Sequence, residues 1–303
     1  GDRKVGCITL PIGHLEYDID KNGKSKFAKV RVPKMTTKLS QSVYQKVGFF
    51  DSLVLRFYMG SVLKMEIADG RKVLIGSDKL THFFAQGLEI QDKDEDGKEI
   101  AALKYGISTE EEKYGMKGTG IFSYGDLAAN YSGKKFWDSI TDYFKCDEKT
   151  KKWTQIKDFK LKDHVTPAWD EAINPVRFKS KSIAQKFREQ LKVIRKAKDA
   201  QAPIDIEACE SIPEYYKDKD GKLPEDFYEK IKYFVSRECL QYILKKDIDS
   251  IDIPVTKGVG LDLHDIIKEE RENEKNGVDK DSCQMSNTKN INSGITVNSI
   301  DSM

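Results

Sequence analysis

Residues 122–133 read Phe-Ser-Tyr-Gly-Asp-Leu-Ala-Ala-Asn-Tyr-Ser-Gly, and this stretch predicts a helix with polar side chains. Asp126 and Asn130 are four residues apart, so they share one face of that helix. Gly133 follows on the same side and leaves room for a second helix or a ligand to approach closely. We therefore expect a polar face here that meets another element of the chain.

A second polar pair lies upstream, where residues 77–84 read Ser-Asp-Lys-Leu-Thr-His-Phe-Phe. Asp78 and His82 are also four residues apart and predict another polar helical face. Three consecutive glutamates, Glu110 to Glu112, lie between the two stretches. If the two helices pack side by side, Asp78 and His82 converge with the downstream pair and with one glutamate, for which we take Glu111.

Such a group of side chains is suited to acid/base catalysis, with His82 as base, Asp78 orienting it and Glu111 as the second acid. Asp126 completes the acidic set, and Asn130 would hold a substrate or an oxyanion. The same pattern is also typical of surface pairs and of solvated acidic faces. Asp78, His82 and Asp126 would further suit a divalent metal, whose identity their ligand types do not specify.

A polar cluster downstream offers candidate substrate contacts. Residues 163–175 read Asp-His-Val-Thr-Pro-Ala-Trp-Asp-Glu-Ala-Ile-Asn-Pro. Trp169 could stack on a sugar ring, and Asp170 and Glu171 could bind polar groups of a substrate, together with Ser123. The alternative is that the tryptophan is a core anchor and that the acids are solvated.

Three acidic turns resemble the opening of a calcium loop, and Asp92, Asp94 and Asp96 followed by a glycine form the best of them. An EF-hand loop requires a glutamate at its twelfth position, which here is Leu103. The others begin at Asp18 and near Asp218. Each stretch is equally typical of an ordinary Asp/Gly turn.

The periodicity along the chain predicts a mainly α fold with a small β element near the N-terminus, an α+β class with a helical core domain. We divide the chain into a β or mixed segment at 1–75 and a helical core carrying the candidate site at 76–180. A second helical region follows at 181–268. Residues 269–303 are rich in Asn, Ser, Lys and Asp, a composition typical of a disordered tail.

Composition excludes several classes of protein. The 303 residues contain 52 Lys and Arg against 50 Asp and Glu, so the net charge of +2 disfavours a general nucleic-acid binder. No apolar run reaches the length of a transmembrane helix. The five cysteines form no Cys-x-x-Cys pair, and they allow up to two disulfides without requiring any.

The two polar stretches together resemble the pattern of the YfiM-like and VanZ-like families, small helical proteins of the bacterial envelope. The resemblance covers residues 77–133 only. VanZ-like members are embedded in the membrane, and this chain departs from them because it lacks a spanning segment. The matching positions are Asp78, Lys79, His82, Phe83, one of Glu110 to Glu112, Phe122, Ser123, Gly125, Asp126, Ala129, Asn130 and Gly133.

The resemblance implies that these polar positions form one site in a soluble extracytoplasmic protein, whether periplasmic, outer-membrane-associated or secreted. One hypothesis is an enzyme, with a hydrolase-like acid/base or metal-dependent activity on an envelope glycan or lipid head group. The other is a non-catalytic envelope or secreted protein, in which the same residues form a polar network that locks helices together.

Overall fold

A computed structural model describes residues 18–19, 25–26, 42–47, 62–67, 69–94, 97–147, 149–150, 152–195, 204–256 and 258–275. The fold is mainly helical with short two-stranded sheets, which confirms the predicted class. The helices are α1 (Lys79–Thr81), α2 (Gly87–Lys93), α3 (Glu99–Glu112), α4 (Met116–Thr119), α5 (Tyr124–Asp138), α6 (Lys181–Arg195), α7 (Ile206–Ser211), α8 (Phe227–Lys230), α9 (Arg237–Leu244) and α10 (Leu263–Lys275).

The described residues also form short antiparallel strand pairs. Val62 pairs with Gly76 at one end of the β3–β4 hairpin, which lies directly before α1. The strands are β1 (Asp18–Ile19), β2 (Ser25–Lys26), β3 (Val62–Glu66), β4 (Lys72–Gly76), β5 (Ile121–Phe122), β6 (Phe144–Asp147), β7 (Lys152–Gln155) and β8 (Arg177–Phe178), paired β1–β2, β3–β4, β5–β8 and β6–β7.

Helix α5 lies at the centre of the core. Every residue from Tyr124 to Lys134 is buried. A helix buried on all sides must be covered by neighbours all round, and the small residues Gly125, Ala128 and Ala129 let them come close. The helix begins at a sound N-cap, because Ser123 Oγ accepts a hydrogen bond from the Asp126 amide at 3.1 Å.

A π-helical segment, His82–Gln86, joins α1 to α2. The amide of Gly87 donates to the His82 carbonyl, five residues back. Short π segments within helices are frequent at functional sites. Here the segment carries His82 and Gln86 on the side that faces α5, where both approach Asn130.

Two glycines allow this segment and α5 to cross at very short range. A Cβ atom at Gly133 would lie 2.0 Å from the Phe83 carbonyl oxygen. A Cβ at Gly87 would lie 2.6 Å from the Gly133 Cα. The close approach expected at Gly133 is therefore present, and it sets the spacing between His82 and the polar face of α5.

The chain forms two compact units, Gly1–Leu263 and His264–Met303. The expected boundaries near residues 75 and 180 remain predictions. The expected tail from residue 269 also remains a prediction, and helix α10 continues to Lys275. The rest of the predicted tail lies outside the described residues. No described helix is long and apolar enough to cross a bilayer.

Candidate functional site

Four elements meet at the candidate site: the start of α1, the π-helical segment, the first turns of α5, and the loop that follows Trp169. The structure brings together Asp78, His82, Asp126 and Asn130, as the spacing predicts. It also places Lys79 there, which the sequence analysis named only as a position of the family resemblance and gave no chemical role. Lys79 lies in the middle of the group with no exposed surface at all.

The Lys79 ammonium is held by three carboxylates. Its Nζ lies 2.5 Å from Asp126 Oδ1, 2.8 Å from Glu171 Oε1 and 3.3 Å from Asp78 Oδ2. Burial would lower the pKa of Lys79, but the charges of Asp126, Asp78 and Glu171 outweigh it and raise that pKa well above its ordinary value. Lys79 is therefore a fixed positive charge and not a nucleophile.

Both ring nitrogens of His82 are engaged. His82 Nε2 lies 3.2 Å from Asp126 Oδ2, and Nδ1 lies 3.1 Å from the Asn130 side-chain amide. The amide orientation that suits its surroundings directs the Asn130 NH2 group at His82 Nδ1 and at the carbonyl oxygens of His82 and Asp126. In that arrangement Nδ1 accepts, so Nε2 carries the proton and donates it toward Asp126.

Ser123 connects the N-terminus of α5 to the loop after Trp169. Its hydroxyl donates to Glu171 Oε1 at 2.6 Å while accepting from the Asp126 amide. Its backbone amide donates to Glu110 Oε1 at 3.1 Å. Ser123 is thus a buried structural link, and the expectation that it contacts a substrate has no support from this geometry.

The acid contributed by α3 is Glu110, and the expectation for Glu111 is wrong. Glu111 accepts from the Thr256 amide at 2.7 Å and from its hydroxyl at 2.9 Å, on the outer side of the helix. Glu110 is 2% exposed. Burial first, and then the charge of Asp126, raise the pKa of Glu110 well above its usual range, which favours its neutral form.

Asp126 is held in an environment of opposing influences. Burial is the largest of them and raises the pKa of its carboxyl group. The charges of His82 and Lys79 act in the opposite direction and favour the carboxylate. Asp126 contacts both of these residues, one with each oxygen, and so joins the lysine to the histidine.

The remaining predicted contacts of the downstream loop are structural. Trp169 is fully buried, packs 5.6 Å from Phe83 and donates from its indole to Ser132 Oγ, so it cannot stack on a sugar. Asp170 accepts from the amides of Leu74 at 2.8 Å and Ala172 at 2.9 Å. Burial raises the pKa of Asp170 to about 6.

The calcium expectation is not supported in the residues that the structure describes. Asp92 lies within α2 and is exposed, while Asp94 pairs with Lys134 Nζ at 2.8 Å. Asp96 lies outside the described residues. In the stretch near Asp218, the side chain accepts from amides of its own turn, as in an ordinary Asx turn. The Asp18 turn also falls mostly outside the described residues.

A divalent metal would have to compete with existing contacts. Ligand atoms of Asp78, His82 and Asp126 all lie within 4.8 Å of one another, and their types suit several divalent ions. Both Asp126 oxygens, however, already face Lys79 and His82. The three residues fit a metal only if the ammonium is displaced.

Beside this group lies a small cleft whose empty space of about 310 Å³ includes open solvent at its mouth, while its enclosed part has room for about one water-sized group. Among the described residues, only Asp78 and Glu171 belong both to the charged group and to the lining of the cleft. The Asp78 side chain is 21% exposed, whereas those of Asp126 and His82 are below 10%. A ligand therefore reaches the group through Asp78 and Glu171. The lining residues are Ser42, Val43, Tyr44, Val62, Leu74, Gly76, Asp78, Asp170 and Glu171.

Comparison with family models, with curated proteins and with solved structures finds no match to this chain.

Proposed function

We propose that this protein is a non-catalytic, extracytoplasmic binding protein of the bacterial envelope. A buried ionic network locks its helices together and presents Asp78 and Glu171 at the cleft. The observation that carries this proposal is the position of Lys79, whose fully buried ammonium is enclosed by three carboxylates. A network in which the polar members are paired internally rigidifies a core and specifies one arrangement of its helices.

The state of His82 favours this function over acid/base catalysis. A catalytic histidine uses one nitrogen for its orienting partner and keeps the other free for the substrate. Here Nε2 contacts the Asp126 carboxylate and Nδ1 contacts the Asn130 side-chain amide, so neither nitrogen is free for a substrate. The side chain is also 8% exposed, and the cleft is lined by Asp78 and Glu171 instead.

The assignment to the envelope rests on two supports. The first is the resemblance of residues 77–133 to envelope families. The second is the disulfide between Cys209 and Cys239, which joins α7 to α9 and is typical of proteins that fold in an oxidising compartment. In that location the partner that we propose for the cleft is an envelope glycan or a lipid head group.

A metal-dependent hydrolase is the second candidate function. The closeness of ligand atoms from Asp78, His82 and Asp126 favours it. A bound divalent ion in that position could activate a water molecule. The two functions differ in what they require of Lys79, since the metal would replace the ammonium between the carboxylates.

Metal content and thermal unfolding of the purified protein separate the two candidates. The variants are His82→Ala and Asp126→Ala, with Asp220→Ala in an exposed turn as the control. The binding function predicts that the wild type carries no stoichiometric metal. It also predicts that both site variants unfold at a lower temperature than the wild type, whereas the control variant does not. A stoichiometric metal ion that is lost from folded variants would instead establish the hydrolase candidate. If the alanine variants fail to fold, Asp126→Asn and the metal content of the wild type decide.

A further inference from the structure

The cleft beside Asp78 has a polar end that is rich in acceptors. Asp78 and Glu171 supply carboxylates there, and no lysine or arginine lines the cleft among the described residues. Lys79 supplies one positive charge to three carboxylates, of which Asp126 is the one that the cleft does not reach. The polar end therefore carries an excess of negative charge.

Two buried oxygen atoms at this end have no hydrogen bond within the part of the chain that the structure describes. One is the Tyr44 hydroxyl, on a residue that is 6% exposed. Glu171 approaches it closely enough to contribute, after burial, to raising the pKa of Tyr44, yet the two do not form a hydrogen bond of normal geometry. The other is Asp78 Oδ1. Unpaired buried polar atoms are costly, so a ligand that satisfies both would be stabilised.

The position of Asp78 Oδ1 depends on Gly76. A Cβ atom at Gly76 would lie 2.1 Å from this oxygen, so the absence of a side chain gives the carboxylate its place. Asp170 also lines the cleft, but both of its oxygens already accept from backbone amides. The oxygens open to a ligand therefore belong to Tyr44, Asp78 and Glu171.

The lining also includes the apolar side chains of Val43, Val62 and Leu74, which form the apolar wall of the cleft. A metal ion prefers to be surrounded by oxygen ligands, so this wall disfavours it. An organic cation has both parts that the cleft requires, a charged donor group for one end and a carbon body for the other.

We infer that this cleft binds the primary ammonium group of a small organic amine, with Tyr44 Oη, Asp78 and Glu171 as acceptors and the apolar wall against its carbon body. The inference rests on the proposed binding function and specifies its ligand class. In an envelope protein, such an ammonium could come from an amino sugar or from an amine-bearing lipid head group.

Isothermal titration of the full chain with n-butylammonium chloride tests this inference. n-Butanol is the neutral probe of similar shape, and calcium chloride is the metal probe. We expect saturable binding of n-butylammonium, binding of n-butanol at least about tenfold weaker because the charge-assisted hydrogen bonds are lost, and no competition from calcium. Equal binding of the two butyl probes, or displacement of the amine by calcium, would overturn the inference.

Variants locate the site. Tyr44→Phe removes only a hydroxyl and should weaken n-butylammonium roughly threefold to tenfold, and Asp78→Asn should weaken it about tenfold or more. Glu225→Gln, an exposed charge away from the cleft, is the matched control and should leave affinity unchanged. If Asp78→Asn fails to fold, the affinity of Tyr44→Phe for n-butylammonium still tests whether the amine binds in this cleft. Wild-type affinity in both cleft variants would refute the inference.

Glucosamine and ethanolamine distinguish the two sources of the amine, since tighter binding of one of them supports that source. The outcome is also separable from that of the proposed function. If no amine binds, the metal-free protein is still destabilised by His82→Ala, and only the ligand class is wrong. If a stoichiometric metal is found on Asp78, His82 and Asp126, the proposed function itself fails.

Discussion

Lys79 Nζ lies 2.5 Å from Asp126 Oδ1, and the lysine has no contact with solvent. This ion pair connects α1 to α5, and Glu171 extends it to the loop after Trp169. The local folds of three separate stretches of chain therefore depend on one ammonium group. Removing either charge alone would leave the other buried without its main partner, which is far costlier than removing both.

Lys79→Met should consequently lower the free energy of unfolding by about 3–5 kcal/mol, the range typical of a broken buried ion pair. Methionine keeps most of the aliphatic volume, so the loss reports the charge. Lys219→Met, at an exposed position, is the control and should change stability by less than about 0.5 kcal/mol. Urea unfolding measures both. A loss below about 1 kcal/mol for Lys79→Met would show that the network does not hold the fold.

Ser123→Ala should cost more than the loss of an ordinary helix cap. Ser123 caps α5 and also donates to the Glu171 carboxylate, whereas Ser236 caps α9 by accepting from the Cys239 amide. Both serines are buried. We expect Ser236→Ala to lower the free energy of unfolding by about 1 kcal/mol, because only a helix cap is lost. Ser123→Ala should lower it by roughly 2–3 kcal/mol, because a charge-assisted hydrogen bond is lost together with the cap. Equal losses in urea unfolding would contradict the role of the Ser123–Glu171 bond.

Gly133→Ala should be strongly destabilising, because its new methyl group would meet the Phe83 carbonyl oxygen at 2.0 Å. Overpacking of this kind typically lowers the free energy of unfolding by about 1–3 kcal/mol. Because the methyl group would meet a backbone carbonyl and not a flexible side chain, we expect a loss near the top of this range. Gly118→Ala is the matched control. A Cβ there would come no closer than 3.5 Å to a neighbour, so we expect no loss of stability and a gain of up to about 1 kcal/mol. Thermal unfolding of both variants checks the contrast.

The sequence was sufficient to predict local neighbours. The spacing of Asp78 with His82, and of Asp126 with Asn130, follows from helical geometry, and so does the close approach at Gly133. Each relationship spans only a few residues along one helix. The structure confirms that these four polar residues come together.

The members that were missed depend on contacts between distant parts of the chain. Lysine is almost never fully buried, so the resemblance included Lys79 in the site but nothing in the sequence indicated that its ammonium lies at the centre. Among three consecutive glutamates, the rotation of α3 decides which one faces inward, and a run of identical residues contains no signal for it. Tyr44 lies in a short described segment whose position beside Glu171 is a purely tertiary feature. The prediction that Trp169 stacks on a sugar ring is wrong for the same reason, because the burial of this side chain is also set by tertiary contacts.

The packing of the His164 ring among aromatic side chains should make the stability of the protein depend on pH. The ring stacks on Phe159 at 5.3 Å and lies near Phe83, Phe136 and Tyr143. Burial, the largest influence, lowers the pKa of His164 from 6.5 to about 4, while the charge of Asp163 opposes the decrease and that of Lys157 adds to it. The folded protein therefore prefers the neutral ring.

A base whose pKa is lower in the folded state binds protons more strongly when unfolded. Its contribution to stability is complete above pH 6.5 and is lost as the pH falls toward 4. The difference corresponds to roughly 3 kcal/mol. His164→Phe, which suits the aromatic surroundings, should remove this component of the loss, whereas Asp163→Asn should deepen it slightly. Urea unfolding of the three proteins between pH 7 and pH 4 measures the effect. An identical decrease in wild type and His164→Phe would show that another group governs the acid limb.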